Sequence, residues 1–231
     1  MVIEILYSEL YTYGEKGNID YIEKMFSDAK TVYTKLIDEP YFVKERPDLV
    51  IIGPMAEPNL EKVQKKLAPY VERIKELIDD NIYFIAFNNV LDILGTKLYV
   101  ENEGEKDTLG IFDFTAKRDY EKRKSELVVA KFDGEIILGA NIGFSEYFGN
   151  EKNYLYETLA GRGFNSQTKL GGFRYKNAFL VEMIGNIFMY NPNISKRLLK
   201  TFGYPEKIPF EKEVQKSYDQ RIESWKKDNV F

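Results

Sequence analysis

The chain has 231 residues, of which 44% are hydrophobic, 15% aromatic and 30% charged, with a formal net charge of −4. That length suits one substantial core, and the composition excludes a disordered chain. The acidic balance argues against broad binding to nucleic acid or to an anionic membrane surface.

The chain contains no cysteine and no histidine. Thiol nucleophiles, disulfides, thiolate or imidazole metal ligands and the usual general base near neutral pH are therefore excluded. No apolar run approaches the about 18 residues that span a bilayer, so no membrane insertion is expected. The opening "MVIEILYSEL" reads as a first strand and not as a signal peptide, so a cytoplasmic location is expected.

In chain order the pattern alternates. Residues 2–8 form a strand, and 17–29 form a helix. "TVYTKLI" reads as a second strand, and "PDLVIIG" as a compact apolar strand behind a proline. Residues 59–80 are helical in period, with Pro69 as a break or kink. "IYFIAFNNVLDILG" (82–95) is a buried strand that turns at Asn88-Asn89 into a helical face closed by Gly95. This βαβαβ order predicts that strands 2–8, 48–53 and 82–87 lie parallel and adjacent in one sheet, with helices on both faces.

From about residue 98 the segments are strand-rich, with Asp133-Gly134 as a hairpin turn. A helix follows over 191–203. In the tail, Phe210, Val214, Tyr218, Ile222 and Trp225 recur at helical spacing as one apolar stripe. Such a stripe fits packing on the protein's own core better than docking to a partner. The division expected is a domain over 1–205 and a C-terminal helical extension over 206–231 packed on it.

Four stretches, in order, carry a resemblance. "LYSELYTYGEKGN" (6–18) is similar to an opening "LYP-D-L-NTYGD-GN" signature. "PDLVIIGPMAEPNLEKV" resembles a strand and loop that usually read "D-L-I-GGGQD". "IGFSEYFGNEKNYL" resembles "GFENH-GRTYL", and "GGFRYKNAFLVEMIGNIFMYNPNISKRLL" resembles "GVRYKN-FGTYLHGPLL--NP-LAD-LL". Together they resemble the class I glutamine amidotransferase domains of the cobyric acid synthase type. Within that group they most resemble the small amidotransferase subunits of lipid II isoglutaminyl synthases. The resemblance implies a three-layer, flavodoxin- or Rossmann-like α/β fold with a mostly parallel sheet.

Family members hydrolyse glutamine with a Cys on a strand-helix elbow and a His on a later strand, and a glycine loop holds the oxyanion. The matching elbow here reads "AFNNVLDILG". The resemblance puts Asn88 in the nucleophile position and Ile184 in the base position. Asn89 and Val90 replace the flanking glycines, and Asp92 replaces a Gln. The three glycines of the oxyanion loop correspond to Gly53, Pro54 and Met55, and Pro54 has no N–H to donate. Loss of one oxyanion donor typically costs about 10²–10³ in rate. Loss of the nucleophile and base costs more.

Arg123 falls where the family carries an arginine facing the glutamine pocket. A solvated surface role in the basic run 117–124 is an equal reading. Ser145 and Ser166 are nucleophile-type residues with no base to serve them. Glu57 and Asp92 offer carboxylates for acid-base chemistry, although loop carboxylates are more often solvated.

The expectation is therefore a catalytically inactive amidotransferase-like protein acting as a scaffold or regulatory subunit, without a cofactor. The resemblance implies a heterodimer with a Mur-ligase-like ATP-dependent partner in cell-wall (peptidoglycan) precursor amidation. Two alternatives stand beside it: a small-ligand-binding module that uses the former glutamine pocket, and an enzyme of unrecognised mechanism.

Overall fold

A computed structural model describes residues 1–12 and 14–228. Tyr13, in the opening motif, and the last three residues of the 206–231 extension lie outside the described residues.

The main sheet begins as a run of parallel strands. They are β1 (Val2–Leu6), β2 (Lys30–Thr34), β3 (Leu49–Ile52) and β4 (Tyr83–Phe87). The order is β2-β1-β3-β4, so the three strands expected to be parallel neighbours are so. Between them lie α1 (Lys16–Met25), α2 (Glu57–Leu67) and α3 (Val71–Asp79). A 3₁₀ turn over Ala68–Tyr70 separates α2 from α3 at Pro69, as the ring's missing N–H requires.

After β4 comes α4 (Leu91–Leu94), a single turn. Next are β5 (Lys97–Val100), β6 (Gly104–Asp107), β7 (Phe114–Arg118), β8 (Lys124–Phe132), β9 (Glu135–Gly143), β10 (Ser145–Gly149), β11 (Tyr154–Ala160), β12 (Leu170–Tyr175) and β13 (Ala178–Val181). Strand β13 pairs parallel to β4 and extends the parallel run to five strands. The sheet then continues antiparallel through β12, β11, β8 and β9. Asp133 and Gly134 close the β8–β9 hairpin with φ of 46° and 90°, the left-handed pair that a two-residue turn needs.

A second sheet, in the order β10-β7-β5-β6, was not expected from the sequence. Leu98, Phe114, Ala116 and Tyr147 of this sheet share a core cluster with α2 and α3 residues such as Val63 and Leu77. Its strands are short and two-sided, so nothing in their pattern told them apart from main-sheet strands. Gly95 permits the join: a Cβ there would stand 2.5 Å from the Phe114 carbonyl.

Alternation along the strands builds the layers. Val50, Ile52, Phe84 and Ala86 face α2 and α3, whereas Ile3, Ile5, Ile51, Ile85 and Phe87 face the opposite cluster. That cluster is covered by α1, α5 (Ile187–Tyr190), α6 (Pro192–Thr201) and α7 (Glu211–Lys227). The C-terminal stripe is only partly as expected. Val214 is buried, and Tyr218, Ile222 and Trp225 pack on Val129, Leu138 and Ala160. Phe210 instead precedes α7 with φ of 54° and is 58% exposed.

Candidate functional site

The site lies where the parallel strands end. Strand β4 stops at Phe87, and Asn88 takes a left-handed backbone (φ 53°) before the 3₁₀ turn Asn88–Val90 runs into α4. A non-glycine residue held in that region is strained, and such strain clusters at sharp strand-helix elbows. The elbow expected at Asn88 is present. The helix behind it is only four residues long, so it contributes little macrodipole to an anion at the turn.

The side-chain amide of Asn88 is spent locally. Its Nδ2 donates to the Glu182 carbonyl at 2.8 Å and to the Ile142 carbonyl at 3.1 Å. From the sequence, the partners expected for this amide are backbone groups of the 53–57 loop or solvent, and Asn88 does not fill the loop role. That role belongs to Asn89, whose Oδ1 accepts from Met55 N–H at 3.2 Å and whose Nδ2 donates to the Met55 carbonyl at 2.7 Å. One carboxamide thus pairs with both backbone groups of Met55, as a neighbouring strand would. With Pro54 lacking an N–H and that of Met55 committed to Asn89, the loop has few donors left for an oxyanion.

Ile184 is 5% exposed. Its backbone pairs with Ala140, donating at 2.8 Å and accepting at 3.3 Å. Asn88 and Ile184 therefore both lie against β9, at Ile142 and Ala140. The sequence leads one to expect Ile184 to pack against Phe87, Val90 or Met55; it belongs to neither of the two main core clusters, one holding Met55 and Val90 and the other Phe87.

Arg123 is exposed. Two neighbouring cations are the ones drawn inward. Arg118 donates to Asp92 Oδ2 from Nη2 at 2.6 Å and from Nε at 3.1 Å, and Ser145 Oγ donates to the same oxygen at 2.8 Å. Burial alone would pull the Arg118 guanidinium down. The Asp92 charge more than offsets it and holds the group above its ordinary value. Lys124 is also buried, donates to the Ser145 carbonyl, and has its ammonium pulled down by that burial. Asp92 is thus an anchor between the elbow and the second sheet. Glu57 stands 3.5 Å from Asn89 Nδ2. The two carboxylates weighed for acid-base work are held by different partners.

Other polar residues crowd the same strand ends. Glu15 is 2% exposed and accepts from Asn18 Nδ2 at 2.9 Å. Burial pushes its carboxyl up to about 8. Asn18 also donates to the Gly185 carbonyl at 2.7 Å. Glu182 accepts from Tyr156 O–H at 2.6 Å and from Gly172 N–H at 2.8 Å, and burial raises its carboxyl too. Glu15 Oε2, Asn88 Oδ1, Glu182 Oε1 and Asn186 Oδ1 are buried without a protein partner among the described residues. Glu182 had a readable signal, a lone charge inside the apolar run "AFLVEMI". Arg118 had none within a basic stretch.

No family model matches the chain. It is 23% identical over 215 residues to the subunit GatD of lipid II isoglutaminyl synthase (glutamine-hydrolyzing) from Staphylococcus aureus (strain N315), covering 91% of this chain and 87% of that protein. A crystal structure of a glutamine amidotransferase superposes with a TM-score of 0.58 at 10% identity, covering 87% of this chain and 98% of the other. A glutamine amidotransferase from Thermotoga maritima superposes at 0.50 with 11% identity, covering 94% and 91%. A GH42 β-galactosidase also reaches 0.50, at 9% identity, but only 30% of that chain is covered. Structural likeness at such identities speaks to the fold. The sequence relationship points the same way as the two folds matched along most of both chains, and on these grounds the chain has a glutamine amidotransferase-like fold.

Proposed function

We propose that this chain is an amidotransferase-like subunit that does not hydrolyse glutamine and acts as a scaffold or regulatory partner. The observation that carries the reading is the residue at the elbow. Asn88 occupies the strained turn in a chain with no Cys and no His, and its amide is tied to two backbone carbonyls. A carboxamide is not a nucleophile, and Ile184 cannot carry a proton. Arg123, on the surface, is then no remnant of substrate recognition, and the Gly53-Pro54-Met55 loop is tied through Met55 to Asn89 instead of forming an oxyanion hole. The relative is by name a subunit, which supports a protein partner, here a Mur-ligase-like ATP-dependent enzyme in cell-wall precursor amidation. An internal cytoplasmic setting fits such a partner, as does the division into a 1–205 domain and a 206–231 extension.

The test is ammonia release. Purified protein with glutamine gives no ammonia above a buffer blank, alone or with the candidate ligase. Asn88→Cys with Ile184→His does not restore turnover, because Pro54 and Asn89 still occupy the oxyanion loop. Measurable turnover by the unmodified chain, free of host amidases, sinks the reading.

A second reading is favoured by the buried oxygens of Glu15, Asn88, Glu182 and Asn186 that lack a protein partner. These are acceptors suited to an amino or amide group of a small ligand. Thermal shift with glutamine and glutamate separates the two readings: a saturable rise of several degrees favours the ligand-binding module.

A further inference from the structure

A cleft of about 250 Å³, partly open to solvent, lies on the sheet face away from α2 and α3, lined by β4, β13, α5 and α6 together with residues of β8, β9, β11 and β12. Its wall is aliphatic and aromatic, with Ile85, Phe87, Leu155, Val181, Met183 and Leu198 among the lining residues. Protein interiors hold few voids larger than a water, and an apolar hollow of this size accepts apolar guests. A cavity of about 150 Å³ takes benzene, so this one has room for roughly ten carbons on the same scale.

The charged lining residues are Asp133, Arg174 and Arg197. Arg197 Nη2 meets Asp133 Oδ2 at 2.6 Å, and Arg174 Nη1 meets the same oxygen at 3.5 Å. Each guanidinium lies over an aromatic ring of the cavity wall: Arg197 is 5.0 Å from the Phe132 centroid and Arg174 is 5.2 Å from that of Phe179. The nearby Glu135 accepts from Asn193 Nδ2 at 2.7 Å and keeps its charge, but it does not line the cleft. Two cations share one carboxylate at the rim, which leaves one positive charge and several N–H donors uncompensated.

We propose that this cavity binds an amphiphilic carboxylate, with an apolar chain of about ten carbons inside and its head group on Arg174 and Arg197. The excess positive charge among the lining residues favours an anionic head group, and the apolar wall favours an apolar tail. The site is separate from the Asn88 elbow and independent of whether glutamine is hydrolysed.

Isothermal titration of the full chain with decanoate, below its micelle concentration, tests this. One saturable site is expected, with decanol binding more weakly and decyltrimethylammonium not at all. Arg174→Gln with Arg197→Gln weakens decanoate about ten-fold, the scale of a lost charge-assisted contact, and leaves decanol unchanged. Val181→Phe fills the cavity and removes both. The arginine pair is half-exposed, so its variant reports on binding even if Val181→Phe fails to fold. No saturable binding of decanoate to natively folded protein overturns the proposal. Equal binding of decanoate, decanol and the cation, or an unchanged affinity in the arginine variant, overturns it as well. Tighter binding of decyl phosphate than of decanoate overturns the choice of a carboxylate.

Discussion

The carboxyl ends of β3, β4 and β13 and the sheet face beneath them are built from neighbouring residues, yet one is closed and the other is open. Around Asn88, polar side chains reach fixed backbone partners at 2.7–3.2 Å and hold the loops together. One residue earlier, Phe87 lines a cavity of about 250 Å³. A hydrogen bond has a direction and a length, so a polar residue in a former cleft pins the opposite wall in place. Apolar contact has neither, so a wall of large side chains closes only as far as their shapes allow. The four best-formed cavities among the described residues are lined by residues other than Asn88, Arg123 and Ile184. A closed elbow supports the proposal that this chain does not hydrolyse glutamine.

The comparison breaks most sharply at Asp92. Asp92→Ala leaves the Arg118 guanidinium buried beside no carboxylate and should cost about 3–5 kcal/mol. At about 2–4 °C per kcal/mol for a domain this size, the thermal midpoint falls by roughly 10 °C. A loss under about 1 kcal/mol in urea unfolding would mean the pair is solvated.

Asn89→Ala comes next. It strands both backbone groups of Met55 and should cost about 2–3 kcal/mol, with faster hydrogen exchange in the 53–57 loop as the second readout.

Glu15 gives a pH-dependent contrast. Its folded value of about 8 lies above its ordinary 4.5, so its contribution is full below pH 4.5. Between those values the folded chain keeps a proton that the unfolded chain has released, and stability declines as pH rises toward 8. Glu4 and Glu182 act in the same sense. Glu15→Gln removes only its own share, so the stability of the variant relative to the parent should rise steadily between pH 5 and pH 8. Parallel pH-stability curves for the two proteins would show that Glu15 is charged in the fold.

The smallest effect is expected on the open side. Val181→Phe extends into the cavity and should change stability by less than about 1 kcal/mol. Ile51→Phe, in the tightly packed centre of the sheet, should cost about 1–3 kcal/mol. Equal costs for the two would mean the cavity is closed in solution.

Much of the fold was readable because local patterns carried it. The proline behind "DLVIIG", the break at Pro69 and the Asp133-Gly134 turn each act over a few residues, and each sits where its chemistry demands. The elbow at Asn88 was readable for the same reason. What could not be read was the partner of each polar side chain. Asn88 and Asn89 are the same residue type side by side, and only the opposite directions of their side chains send one to β9 and the other to Met55. The same holds for Arg118, Arg123 and Lys124, three cations in a basic run of which the second alone faces solvent.

By itself the sequence determined the parallel βα half of the sheet, the strained elbow, and the absence of any thiol or imidazole chemistry, since periodicity, turn residues and composition are properties of the chain alone. Only the tertiary structure decided that β5, β6, β7 and β10 leave the main sheet to form a second one, that Asp92 meets Arg118 across 26 residues, and that two arginines converge on Asp133 beside an apolar cleft. Those outcomes depend on how separate elements pack against one another, and long-range packing is set by the three-dimensional fit of side chains that no local window contains.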